Sequence, residues 1–268
     1  MTSAAKLKNV LFASLFMVDY YQAFILAIVQ GITEWLPVSS SAHLAIIQHL
    51  FKISPPVFFD IALHLGTLIS VLLFFRNDII ELIREKDVKM LLYIIIASIP
   101  TAIIGLAFKD FFESFFSDIA LVGIALLVTG TLLFSTRYAK DKKPKQLDMA
   151  SAFIIGIAQG IAVAPGISRS GSTISTGMLL GIDKEKAARF SFLLSIPAVL
   201  GAAILEGRKA ALSSIDFGPM LLGVVVAAIV GYLSIDFLLK IIRKNSFSVF
   251  AYYCWLLGIM VIALGLIR

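Results

Sequence analysis

Two polar stretches break a chain that otherwise reads as a succession of hydrocarbon-compatible helices. The first is Gln30-Gly31-Ile32-Thr33-Glu34-Trp35-Leu36-Pro37-Val38-Ser39-Ser40-Ser41-Ala42-His43, and the second is Gln159-Gly160-Ile161-Ala162-Val163-Ala164-Pro165-Gly166-Ile167-Ser168-Arg169-Ser170-Gly171-Ser172-Thr173. A bilayer interior accepts a carboxylate, a guanidinium or non-helical backbone only where protein or a wet cavity surrounds it. Each stretch opens on Gln-Gly-Ile, reaches a proline and runs into serines. The likeness predicts a duplicated membrane protein whose site lies where the two copies meet.

Composition agrees. Of the 268 residues, 59% are hydrophobic and 15% charged, where an ordinary soluble domain carries about 25% charged residues. The mean hydropathy is +0.97. These values predict an all-α, polytopic membrane protein. The formal net charge of +6 is not a nucleic-acid signature, because most Lys and Arg fall in short connections, where they set topology and meet lipid headgroups. Cys254 is the one cysteine and the histidines number three, which excludes a disulfide frame, a thiol metal site and a His-rich metal centre. At the N-terminus, Lys6 and Lys8 precede the apolar run Val10 to Val18. Without a small-x-small cleavage site before Asp19, residues 1–18 read as an uncleaved N-terminal extension, with a removed signal as the alternative.

Apolar segments fall near 20–36, 42–52, 58–75, 90–108, 117–136, 149–164, 172–182, 187–206, 219–239 and 248–267. A helix needs about 20 residues to cross the ~30 Å core. The segments after the two breaks are too short for that, so each break and its flanks are expected to form a re-entrant helical hairpin. A shift of 129 places Gln30-Gly31-Ile32 on Gln159-Gly160-Ile161, Phe58–Phe75 on Ala187–Ile204 and Leu91–Phe108 on Met220–Phe237; a shift of 131 places Phe116-Ser117 on Phe247-Ser248. This order predicts two repeats in one integral membrane domain, at about 20–136 and 149–267, joined by a linker at 137–148. The connections Arg76–Lys89 and Arg137–Lys145 are basic and belong on the cytoplasmic side. The hairpin tip Lys109–Phe116 has one lysine, whereas its counterpart in the second half carries Lys240, Arg243 and Lys244. Matching tips on opposite sides predict inverted topology with a site near the midplane.

The first break concentrates chemistry. Gln30 and Glu34 share a helical face before Pro37. Ser39, Ser40 and Ser41 then stand where a new helix offers free N–H groups, and His43, three residues past Ser40, is expected close to a serine hydroxyl. The second break has the parts of a phosphate cradle. Gly166 and Gly171 allow close backbone approach, Ser168, Ser170, Ser172 and Thr173 supply hydroxyls, and the following helix presents its N-terminus to an anion. Arg169 adds a planar fork for bidentate contact with phosphate oxygens. The bland alternatives are capping serines, a histidine on a backbone carbonyl and a purely structural Arg169–Glu34 pair. His64 reads as a lone helix histidine satisfied locally, and Asp183 to Lys186 as a capped helix start after Gly181.

The run Gln30 to His43, together with Pro165-Gly166-Ile167-Ser168-Arg169-Ser170-Gly171-Ser172-Thr173-Ile174, closely resembles the undecaprenyl pyrophosphate phosphatase family, also called bacitracin-resistance proteins. The likeness extends from about Tyr20 onward. Gln30 stands where many members have Glu, so a two-carboxylate metal site is not assumed. The resemblance implies dephosphorylation of undecaprenyl diphosphate to the carrier monophosphate of cell-wall assembly, with dependence on a divalent cation, Mg2+ or Ca2+. It further implies inverted repeats with re-entrant helices and a site open to the extracytoplasmic face. The expected partners are the isoprenoid diphosphate lipid and the bilayer, with bacitracin competing by sequestering substrate, a homodimer allowed and no nucleic acid.

Combining residues and resemblance, Glu34, Ser40, His43 and Arg169 are the catalytic candidates. Gln30, Ser39, Ser41, Ser168, Ser170 and Thr173 are the substrate-binding candidates, and Glu34 is the metal ligand. Ser40 is the candidate nucleophile with His43 as base or later acid; direct attack by water, with Glu34 or His43 as base, stays open. The rival class is an inverted-repeat transporter or flippase of a lipid phosphate, which explains the architecture equally well but not the convergence of acid, hydroxyl, imidazole and guanidinium.

Overall fold

Asp19 accepts from the backbone N–H of Gln22 while the Gln22 side chain takes the N–H of Asp19, and this reciprocal cap starts the first helix, α1 (Tyr20–Trp35). It ends where it must. Pro37 cannot continue a helix and pushes Leu36 to extended backbone, at φ −67° and ψ 146°. The computed structural model describes residues 18–51, 53, 57–84, 87–115, 118–139, 145–207, 216–244 and 246–266. Residues 1–17 of the N-terminal extension expected at 1–18, and 140–144 of the linker, lie outside these residues.

The remaining helices are α2 (Ser40–Phe51), α3 (Val57–Phe74), α4 (Arg76–Arg84), α5 (Val88–Ala107), α6 (Lys109–Ser114), α7 (Ile119–Ser135), α8 (Met149–Ile161), α9 (Arg169–Leu179), α10 (Lys184–Gly207), α11 (Phe217–Arg243) and α12 (Val249–Leu266). Among the described residues there is no strand, only an isolated bridge between Lys145 and Ile182. Five helical stretches among the described residues are long and apolar enough to cross a membrane: Val57–Phe74, Val88–Ala107, Ile119–Ala139, Lys184–Gly207 and Phe217–Arg243. Two shorter apolar helices are Met149–Ile161 and Val249–Gly265. The basic connection after Arg76 contains the short helix α4, whose alternation of charge and isoleucine a segment-by-segment hydropathy reading passes over.

Helix starts keep a register. Tyr20 and Met149, Ser40 and Arg169, and Val88 and Phe217 open their helices 129 residues apart. The caps keep it as well, with Asp19 and Asp148, and Asp87 and Asp216, each accepting from the first turn. The packing pairs α1 with α11 and α5 with α8, while α7 lies along α12 and α3 along α10. Small residues permit these approaches. Gly156 of α8 lies directly against the Ala97 carbonyl of α5, where any side chain would collide. As expected, α10 starts after Gly181, at φ +90°, with Asp183 accepting from the N–H groups of Glu185 and Lys186.

The largest core cluster gathers around Trp35, with Phe75, Leu133, Ile174, Phe192 and Ile235 buried about it. The Trp35 ring meets Phe192 edge-on at 5.5 Å, and its indole N–H donates to Ser70 Oγ at 2.9 Å. A buried indole keeps a partner for its N–H in this way. The residue next to Glu34 is therefore fixed in the core, and the carboxylate is carried on a rigid helix end.

Candidate active site

The end of α1 and the start of α9 bring the two polar breaks into contact. Gly171 is so close to Pro37 that a Cβ there would lie 3.3 Å from the proline Cβ. Ser170 Oγ donates to the Leu36 carbonyl at 3.2 Å, satisfying an acceptor freed where α1 ends. Beneath the second break, Thr129 of α7 donates to the Gly166 carbonyl at 2.9 Å and accepts from Ser168 N at 3.1 Å. Gly166 has φ +94°, and a Cβ would come within 2.5 Å of the Val122 carbonyl; only glycine meets both demands. Ser168 then caps α9 by accepting from Gly171 N at 3.1 Å.

This framework delivers Arg169 to Glu34. Arg169 Nη2 donates to Glu34 Oε1 at 2.6 Å, between side chains only 15% and 6% exposed. The guanidinium also lies 5.1 Å from the centroid of the Trp35 ring. The other carboxylate oxygen, Oε2, accepts from Ser40 Oγ at 2.6 Å and from Gln30 Nε2 at 3.0 Å. Two buried groups keep unused capacity: Arg169 Nη1 and Gln30 Oε1 have no hydrogen-bond partner. A guanidinium N–H aimed at nothing in a buried site is costly unless a ligand completes it.

Ser40 reaches Glu34 because of the residue before it. Ser39 is the only non-glycine with positive φ among the described residues, at +68°. Left-handed backbone costs a non-glycine residue roughly 1–2 kcal/mol. It is held by its own helix: Ser39 Oγ accepts from Ala42 N at 3.4 Å, and the Ser39 carbonyl accepts from His43 N at 3.3 Å and from His43 Nδ1 at 2.7 Å.

A cavity of about 340 Å³ opens above these groups. Its polar floor holds Glu34, Ser39, Ser40, Ser41, Ser168 and Arg169, and Asp60 and His64 of α3 stand at its side. Val57 and Ile61 of α3 with Ala198, Val199 and Ala202 of α10 make an apolar wall. Glu206, at the α10 end of this wall, is ion-paired with Lys109 of α6.

Most of the residues singled out in the sequence therefore meet. Glu34, Ser40, Arg169, Ser39, Ser41 and Ser168 share the cavity, and Gln30 supports Glu34 from below. Ser170 and Thr173 do not line it. Ser170 braces the first break, and Thr173 bonds the Arg169 carbonyl at 2.9 Å and Ser191 Oγ at 2.6 Å. His43 departs from the expected geometry. Its Nε2 meets the Tyr253 hydroxyl at 2.7 Å and its ring stacks on Tyr253, so neither nitrogen is available to Ser40. The imidazole beside the acid is His64, with Nε2 3.6 Å from Glu34 Oε2 and Nδ1–H donating to the Asp60 carbonyl at 2.9 Å. Its signal was an acid and a histidine one helical turn apart, Asp60 and His64, inside an otherwise apolar span.

No cluster of three or more His, Cys, Asp or Glu side chains able to hold a metal ion exists among the described residues. The oxygens of Glu34 and Ser40 at the cavity floor are hard donors. They suit a hard cation that takes its remaining ligands from other oxygens.

Apolar spans enclosing a buried carboxylate, guanidinium and hydroxyl define a multi-pass membrane protein with a polar cavity in its interior. The chain belongs to the bacitracin resistance protein BacA family, whose profile matches residues 23–260. It is 44% identical over 252 residues to the undecaprenyl-diphosphatase of Carboxydothermus hydrogenoformans, covering 91% of this chain and 97% of that one. Against the undecaprenyl-diphosphatase of Halothermothrix orenii it is 43% identical over 255 residues, covering 92% and 98%. Against that of Korarchaeum cryptofilum it is 41% identical over 259 residues, covering 91% and 98%.

Proposed function

We propose that this chain is a membrane phosphatase that hydrolyses undecaprenyl diphosphate to undecaprenyl phosphate and inorganic phosphate. The reaction returns the lipid carrier to cell-wall synthesis, and it underlies bacitracin resistance by consuming the lipid that the antibiotic sequesters. The observation that carries this reading is the Ser40–Glu34–Arg169 contact beside an apolar wall. A hydroxyl bonded to a carboxylate, a guanidinium with a spare donor and a greasy flank suit an amphiphile with a phosphate head.

The chemistry follows from the bonds. Ser40 Oγ attacks the terminal phosphorus as its proton passes to Glu34 Oε2. The bond from that phosphorus to the bridging oxygen breaks, and its electron pair leaves with the lipid monophosphate. Arg169, at the N-terminus of α9, stabilises the negative charge gathering on the transferred group. Water then attacks the phosphoserine, the Ser40 oxygen recovers its proton from Glu34, and inorganic phosphate departs. Glu34 would be the carboxylate ligand of a divalent cation, Mg2+ or Ca2+, which would supply further charge neutralisation. Ser39, Ser41 and Ser168 are placed to contact the phosphates, and Gln30 orients Glu34. Ser170 and Thr173 act as supports for the two breaks.

The competing chemical route is direct attack by water with Glu34 as base. Phosphate release from detergent-solubilised protein with labelled diphosphate, followed by acid quench, tests both levels. Labelled phosphoserine at Ser40 supports the covalent route. Full activity of Ser40→Ala removes it, and no turnover in detergent favours a lipid-phosphate transporter instead.

The register of helix starts and caps and the reciprocal packing of α1 on α11 and α8 on α5 support two repeats, at about 20–136 and 149–267, with a linker at 137–148. The distribution of basic residues supports their inversion in the membrane. The shortness of α2 and α9, each following a break, supports two re-entrant hairpins. In this topology the cavity opens to the extracytoplasmic face. Cysteines placed at the tip near Asp110 and at Lys240 should be labelled by an impermeant reagent from opposite sides; labelling from one side removes the inversion.

A further inference from the structure

We propose that Tyr253 is a positioning residue for the reacting serine, acting through His43. The inference rests on the reading of Ser40 as the attacking group.

The contacts fix a direction. A backbone carbonyl can only accept, so His43 Nδ1 carries the proton in its 2.7 Å bond to the Ser39 carbonyl. Nε2 then has the lone pair, and the Tyr253 O–H donates to it at 2.7 Å. The two rings are nearly coplanar in direction, 6° apart, with centroids 5.7 Å from one another. Tyrosine thereby holds imidazole, imidazole holds the Ser39 carbonyl, and Ser39 is the residue with left-handed backbone. The turn so held ends at Ser40, whose hydroxyl touches Glu34. A second contact reinforces it: the thiol of Cys254, the next residue along, meets the Pro37 carbonyl at 3.6 Å.

A support is useful only if it is itself fixed. The helix that carries Tyr253, α12, lies along α7 with glycines meeting glycines, since a Cβ on Gly123 would come within 2.9 Å of the Gly258 carbonyl. The ends are tied by Arg137, which donates to Ser248 Oγ at 3.1 Å and the Tyr252 hydroxyl at 2.9 Å. The same α7 supplies Thr129 to the second break. One helix pair thus sets both Ser40 and Arg169, and rotation of Tyr253 away would let the strained turn relax and take Ser40 off line. Small misplacement of a reacting atom reduces turnover far more than binding.

Phosphate release from farnesyl diphosphate is measured on the purified full chain for the parent, Tyr253→Phe, His43→Ala, His43→Asn and Ser40→Ala. Tyr253→Phe keeps the stacked ring and removes only the hydroxyl. The expected result is a kcat lower by about tenfold, the rate equivalent of one hydrogen bond, with KM within about twofold of the parent. Combined with His43→Ala, it produces no additional loss. The amide nitrogen of His43→Asn stands near the former Nδ1, so this variant keeps the hold on Ser39, exceeds His43→Ala in kcat and is insensitive to Tyr253→Phe. Parent-like kcat in Tyr253→Phe, multiplying losses in the double variant, or a His43→Asn no better than His43→Ala each overturn the inference. Full activity in Ser40→Ala overturns the reading beneath it, whereas an inactive Ser40→Ala beside an unaffected Tyr253→Phe overturns the inference alone.

Discussion

Glu34 and Arg169 lie 135 positions apart in the chain and are joined by a 2.6 Å hydrogen bond in its interior. The bond uses one nitrogen and one oxygen. The carboxylate spends its second oxygen on Ser40, and the guanidinium keeps a buried nitrogen without a partner. A pair that existed only to neutralise itself would close both forks on each other. This one leaves a guanidinium nitrogen unspent.

Arg169→Ala should therefore fail twice. Turnover falls on the order of 10²–10³-fold through loss of charge stabilisation. Stability falls by about 3–5 kcal/mol because Glu34 is left buried and unpaired. Adding Glu34→Gln should restore most of the stability and none of the activity. Phosphate release and thermal unfolding in detergent check the two separately; an Arg169→Ala protein as stable as its parent would show that the pair carries no desolvation burden.

Removal of divalent cations with EDTA should abolish phosphate release, and Mg2+ or Ca2+ should restore it. Because Glu34 is the one carboxylate of the first break, Gln30→Glu should lower the cation concentration needed for half-maximal rate. A titration unchanged by that substitution, or full activity in EDTA, would remove the cation from the site.

His64→Ala should lower kcat about tenfold, the rate equivalent of one lost interaction, because its Nε2 stands 3.6 Å from Glu34 Oε2. His49→Ala, exposed at the end of α2, should leave it unchanged. Equal activity in the two variants would return His64 to a packing role.

Gly166→Ala should destabilise the protein by about 1–3 kcal/mol from backbone strain alone, with more from the Val122 carbonyl in its path. Since the same loop places Ser168 and Arg169, activity should fall further than stability does. A circular-dichroism melt and a rate measurement on one preparation check both.

The sequence made the core of the site readable for a physical reason. A carboxylate and an arginine inside apolar segments must find each other, so Glu34 and Arg169 could be paired without coordinates. The apolar segments placed their helices to within a few residues of the observed ends. His43 was harder. Spacing from Ser39 and Ser40 assumes an ordinary helix start, but Ser39 is left-handed, and the partner of Nε2 is a tyrosine 210 positions away. Nothing local signals such a contact. His64 was discounted as a solitary histidine on a buried helix, because the packing that sets α3 beside the first break is a property of the whole bundle. Ser170 and Thr173 belong to the right motif, yet successive helix residues point different ways, and only coordinates separate those facing the cavity from those facing α10 and the chain end of α1.

Ser40 and Arg169 occupy the same station, each the first residue of the helix behind its break, and the position matching Glu34 in the second half is Val163. Ser40 thus offers a hydroxyl where Arg169 offers a guanidinium, and Glu34 a carboxylate where Val163 offers only hydrocarbon. Neither break carries both charges, so the ion pair exists only once the whole chain has brought the two together.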